Sequence, residues 1–203
     1  MNDAHGSPVL GHTRWRRFAA VAVTGLVVAG AMLFGMANGA IAASFAVSGS
    51  TFKVSADTLV GTGFVQYGGL AVDKAGNKHP VAVSGIKSAT LKNLCQSVVV
   101  PGTSISLVIR AGKDTPASAT DLLIDMTQLS GDAVFEVIDI GQDASTLNKG
   151  PAKAVGQAGG FGQQADKVTI NGLRQVAWST SAGTFTLNGL DLHVSLSGEQ
   201  CFP

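Results

Sequence analysis

Downstream of residue 44 the chain alternates apolar and polar positions. Ile105, Leu107 and Ile109 are interleaved with Ser104, Ser106 and Val108, and Phe185 and Leu187 with Thr184, Thr186 and Asn188. Leu190, Leu192, Val194 and Leu196 are interleaved with Asp191, His193, Ser195 and Ser197. Successive side chains of an extended strand point to opposite faces, so a period of two predicts strands with one face buried. Residues suited to turns stand between these runs: Ala75-Gly76-Asn77-Lys78, Ser130-Gly131-Asp132, Asn171-Gly172, Ala182-Gly183 and Asn188-Gly189. No segment there carries a sustained helical period with caps, and the fold class expected is all-β. Strand-like runs open at Ala56-Asp57-Thr58-Leu59, Ala89-Thr90-Leu91, Ala119-Thr120-Asp121-Leu122 and Ala165-Asp166-Lys167-Val168. Their spacing of roughly 30 to 45 residues suggests repeated sheet units. An elongated, sheet-rich stack or β-solenoid is the arrangement expected, with a β-sandwich as the alternative. Leu147 to Gln164, rich in glycine, reads as a long mobile loop.

The region before residue 44 follows a different pattern. Arg14, Arg16 and Arg17 precede an uncharged apolar run from Phe18 to Ala43. About 20 apolar residues suffice for a helix to cross the hydrocarbon core of a bilayer. A basic flank resists translocation, which keeps residues 1–17 cytoplasmic as a leader and directs 44–203 outside. Ala40-Ile41-Ala42 offers the small residues a signal peptidase accepts and favours cleavage after Ala42. The length of the run also fits a retained signal-anchor helix. Arg16-Arg17 lacks the remaining pattern of a twin-arginine signal.

Charge narrows the range of partners. Beyond the run, 11 bases face 12 acids. Nucleic-acid binding rests on clustered Lys and Arg, so a domain this close to neutral is not expected to bind nucleic acid. Cys95 and Cys201 are the only cysteines. Outside the cytosol a single pair reads most simply as one disulfide tying the C-terminal region to mid-chain, the alternative being two separate buried thiols. Without further thiols or nearby histidines the pair cannot supply four metal ligands.

Several segments together carry a resemblance. They are Phe45-Ala46-Val47-Ser48-Gly49, Leu94-Cys95-Gln96-Ser97-Val98, Ile140-Gly141-Gln142-Asp143-Ala144, Gly162-Gln163-Gln164-Ala165-Asp166 and Cys201-Phe202. The chain resembles an uncharacterised exported family of actinobacteria whose members often carry the label cholesterol esterase. The resemblance implies an envelope protein and brings no catalytic residues with it.

An esterase of the common hydrolase fold would need Gly-x-Ser-x-Gly at a strand-to-helix turn. That pentapeptide is absent; Gly102-Thr103-Ser104-Ile105-Ser106 comes nearest, and Ser104 there reads as an ordinary strand serine. Asp191, His193 and Ser195 match a triad by residue type. Neighbours on one strand face stand about 6.7 Å apart, a spacing that does not by itself set up the short relay a triad needs. His193 is the best candidate base should the protein be a hydrolase, and the polar side of its strand otherwise reads as solvated or lumen-facing. His79 reads as an exposed loop residue, while His5 and His12 belong to the leader. Gly160-Phe161-Gly162-Gln163-Gln164-Ala165 matches a loose dinucleotide fingerprint by letters, without the strand before it and the helix after it. Asp121, Asp125, Asp132, Glu136, Asp139 and Asp143 lack the spacing of a calcium loop and read as strand edges and turns.

No cofactor and no metal site is expected. The function expected is that of a non-enzymatic, extracytoplasmic envelope protein, secreted or anchored to the cytoplasmic membrane by its N-terminal segment. It would associate with itself or hold a lipid-like ligand. A lipid or sterol ester hydrolase, and an accessory subunit of a membrane complex, are the alternatives.

Overall fold

Side chains alternate in and out along β1 (Phe52–Val72), which places Val54, Ala56, Leu59 and Phe64 on one side. The computed structural model describes residues 49–203. The leader 1–17 and the apolar run Phe18–Ala43, with the helix expected there, lie outside the described residues. Seven further strands follow: β2 (Lys78–Lys92), β3 (Leu94–Val99), β4 (Ser106–Ala111), β5 (Ala117–Asp143), β6 (Phe161–Ser181), β7 (Thr184–Thr186) and β8 (Asp191–Ser195). All eight join one antiparallel sheet. The all-β class is therefore as expected, and its strands form a single continuous antiparallel sheet.

Four strands close on themselves. β1 pairs with β2, β2 with β5, β5 with β6, and β6 with β1 again. The closure is strongly staggered. Val65 meets Gln164 of β6 directly, yet the other way round, through Gly85 and Leu123, it reaches Ser181. A large stagger makes strands tilt steeply and wrap around the barrel axis, which is why β1, β5 and β6 are so long.

A four-stranded ring leaves little room inside. Its core alternates Leu59, Phe64, Ile86, Leu122, Val168 and Leu173 with Ala56, Ala89, Ala119, Ala165 and Ala177. At Gly61 even a methyl group would not fit: a Cβ there would stand 2.7 Å from Ile86 Cγ2 and 3.1 Å from Val168 Cγ1. Small residues such as Gly61 thus make room for the larger side chains that the neighbouring strands β2 and β6 send into the ring.

Two turn signals fall inside strands rather than between them. Gly131 (φ 145°) lies within β5 and Gly172 (φ 62°) within β6. The ladder between these strands shifts register between Ser130 and Asp132, opposite Arg174 and Asn171. The two glycines kink both strands at one level and let the pair bend around the core.

The segment after β5 also differs from expectation. It is a packed flap, and β6 already begins at Phe161. Leu147 and Ala154 are buried against Val65 on the outer side of the ring, with Tyr67 and Leu123 beside them. The Asp143 carboxylate accepts the backbone N–H groups of Ser145 and Gly159, at 2.9 and 2.8 Å, and so closes the two ends of the flap. Apolar side chains on the outside of the sheet need a cover, and the flap supplies it.

Candidate functional site

Three strands beyond the ring extend its wall. β3 pairs with the start of β1, β4 with β3, and β8 with β4. Asn93, with φ 53°, separates β2 from β3 and sends the chain from the ring into this extension. Three registered rows set the faces. Lys53, Ser97, Val108 and His193 stand side by side across four strands. In the next row Val98, Leu107 and Val194 are neighbours, and beside them Val54, Gln96, Ile109 and Leu192.

The row containing Val54 is continuous with the barrel interior, because Val54 belongs to the core. Burial falls away along it. Val98, Leu107 and Ile109 are half-buried, and on β8 and its flanks the side chains of Leu190, Leu192, Val194 and Leu196 are 54%, 56%, 60% and 78% exposed. Val100 and Ile105, in the turn between β3 and β4, are exposed as well. The core face of the sheet thus runs out past the barrel as an open apolar lip. The alternation of β8 predicts a buried apolar side, and the structure reverses this: it is the apolar side that lies open to solvent.

The other face of the extension is closed by the chain's last residues. Cys95 and Cys201 form a disulfide across a sequence separation of 106, as the cysteine count suggests. Cys201 N donates to Ser97 Oγ at 3.1 Å, and Lys53 Nζ donates to the Phe202 carbonyl at 3.0 Å. The Lys53 ammonium also lies 5.0 Å from the centre of the Phe202 ring, a cation–π contact. Gly198, with φ 73°, lets the chain turn back after β8.

On this covered face the candidate histidine sits in a chain of charges. His193 Nδ1 is 2.9 Å from Asp191 Oδ1 and its Nε2 is 3.2 Å from Glu199 Oε2. The other oxygen of Glu199 accepts from Arg110 Nη2 at 2.9 Å. The Asp191 and Glu199 bonds, in that order, hold the His193 pKa above its ordinary value. Arg110, then His193, hold the Glu199 carboxyl below its own. The structure therefore brings Asp191 and His193 together despite their spacing along the backbone, because both side chains reach along the strand. It does not bring Ser195 to them: its hydroxyl meets Ser197 Oγ at 3.0 Å. With a carboxylate on each ring nitrogen, His193 has no nitrogen left to take a proton from a serine. Sequence reasoning missed Arg110 and Glu199. The proximity of Glu199 to Cys201 was the available signal, since the disulfide carries the tail onto this face.

The remaining sequence candidates stay apart. His79 is paired within β2, stacks on Trp178 at 3.9 Å and meets Asp73 at 3.3 Å, so it is a packed strand residue rather than an exposed loop one. Asp73 accepts from Ala75 N, Asn77 N and Asn77 Nδ2, and the Asn77 bonds foremost bring its pKa to about 2. The acids of β5 have separate partners: Asp125 accepts from Ser179 Oγ, Glu136 from Lys167, and Asp139 pairs with Lys149. Among the described residues no three His, Cys, Asp or Glu side chains group as metal ligands. Ser104 lies in the exposed turn before β4, and Phe161–Ala165, most of the letter match to a dinucleotide fingerprint, lies inside β6.

A family model described as a family of unknown function, DUF6230, matches residues 48–202. The chain belongs to this family. The match spans the ring, the flap and the extension with its closing tail, so the disulfide and the open lip both lie within the DUF6230 region. No curated protein matches the chain, and no solved structure does.

Proposed function

We propose that this protein is a non-enzymatic envelope component that engages a hydrophobic ligand or partner on the apolar lip of β3, β4 and β8. The observation that carries the reading is the exposure of Leu190, Leu192, Val194 and Leu196 in continuity with the barrel core. Isolated exposed apolar residues are ordinary on protein surfaces, whereas a contiguous stripe of them marks an interaction site. An extracytoplasmic location agrees with it: a basic flank and an apolar run precede the domain, and the domain contains a disulfide. The hydrolase suggested by the label on the resembling family has less support, because its best base, His193, is held by Asp191 and Glu199.

An environment-sensitive apolar dye tests the reading. The purified chain is expected to raise the dye's fluorescence, and the double substitution Leu192→Ser, Val194→Ser to abolish the rise without lowering the melting temperature. Wild-type protein that leaves the dye dark, or a variant that binds it as well as wild type, would refute the assignment. Ester release from long-chain substrates that disappears in His193→Ala would favour the hydrolase instead.

A further inference from the structure

We infer that the apolar lip docks on the surface of a lipid bilayer, with β8 lying against the headgroup and acyl boundary. This rests on the hydrophobic-contact reading above and names its occupant.

Three observations point to lipid. The first is the chemistry of the two sides of β8. Leu192 and Val194, with Gln96, Val98, Leu107 and Ile109 beside them, make a face without a charge. Asp191, His193, Arg110 and Glu199 are all on the opposite face. A two-sided element of this kind suits an interface whose one side is apolar and whose other side is water. The second is position. β1 begins at Phe52, and Lys53 shares a row with His193 of β8. Three strand spacings separate them, about 15 Å. The third is chain length. Phe52 follows Ala43, the last residue of the uncharged apolar run, by nine positions. Nine residues span at most about 30 Å. Retained as a signal-anchor, such a run holds the domain at a membrane with β1, and so the lip beside it, among the parts on the shortest tether.

A second copy of the chain is the competing occupant and has less to recommend it. β8 offers only five residues of free edge, and Gln96 is the one polar side chain of the apolar face that could fix a register between copies.

Tryptophan placed on the lip reports its surroundings. Leu192→Trp is introduced into the full chain, and so, separately, is Val134→Trp, at an exposed apolar position of β5. Each protein is reconstituted in phosphatidylcholine vesicles with brominated acyl chains, and the emission of unsubstituted protein is subtracted. Docking predicts that the L192W indole emits at shorter wavelength and is quenched by bromine at a depth of about 5–10 Å, while the V134W indole is left unquenched. The unsubstituted protein gives a second measure: amides of Leu190–Leu196 should exchange more slowly when vesicles replace detergent. If position 192 is unquenched and the amides are unchanged while the apolar dye still binds, bilayer docking is overturned and the broader reading survives. If neither lipid nor dye reaches the lip, both fail. Protection that instead rises with protein concentration in the absence of vesicles would assign the lip to a second copy and overturn the lipid.

Discussion

His193 illustrates how a residue picked by type acquires its role from neighbours. Its imidazolium is stabilised first by Asp191 and then by Glu199, and Glu199 is stabilised as an anion by Arg110. A raised histidine pKa means that the folded state binds a proton more tightly than the unfolded chain. The stabilisation is complete below the ordinary value of 6.5 and is lost as pH rises through the raised one. The lowered Glu199 carboxyl acts in the opposite sense: its contribution is present above the ordinary 4.5 and lost as pH falls through the lowered value. Melting temperature is therefore expected to fall as pH rises past 6.5, and His193→Gln to lack that step. Thermal unfolding of both proteins across a pH series checks it. The Asp191 and His193 half of this cluster was legible as an i, i+2 pair. Arg110 and Glu199 were not, because 89 residues separate them and only pairing and the disulfide bring them together.

At the level of elements, alternation located strands well and turn chemistry located bends. Ala75-Gly76-Asn77 is a connection between β1 and β2, and Ala182-Gly183 lies between β6 and β7. Gly131 and Gly172 carry the same local signal and yet sit inside strands. A positive φ serves a hairpin and a kink equally well, and whether the chain reverses depends on the partner strand. Gly131 is the more constrained, because a Cβ there would stand 2.7 Å from Ile170 Cγ2 and 2.9 Å from the Asn171 carbonyl oxygen. Gly131→Ala is expected to destabilise the fold by about 1–3 kcal/mol through strain and overpacking. Urea unfolding should show a lower midpoint at an unchanged slope. The edge of β5 beyond Met126 is managed by charge: Asp132, Glu136, Asp139 and Asp143 stand along it, and Lys149 Nζ donates to the Val137 carbonyl at 2.8 Å. Such charges discourage a stray strand from pairing there.

Over the whole molecule, one crosslink holds the closing tail to the extension. A loop of this length, constrained in the unfolded chain, stabilises the native state by on the order of 4 kcal/mol. Cys95→Ser with Cys201→Ser is expected to lose about that much in urea unfolding and to free the tail, which faster amide exchange at Glu199–Phe202 would reveal. The sheet itself is longer-range still. Its closure depends on β1 meeting both β2 and β6, strands that begin at Lys78 and Phe161.

By itself the amino-acid sequence determined the strand class, the positions where the backbone bends and the near-neutral charge of the domain, because each follows from the period, φ preference or ionisation of nearby residues. Tertiary structure alone decided that four strands close with a steep stagger, that the glycine-rich segment folds down over Val65, and that the apolar side of β8 faces outward. Periodicity says that a strand has two unlike faces. Which of them finds a cover depends on what else reaches that place, and beyond β4 the closing tail covers the polar one.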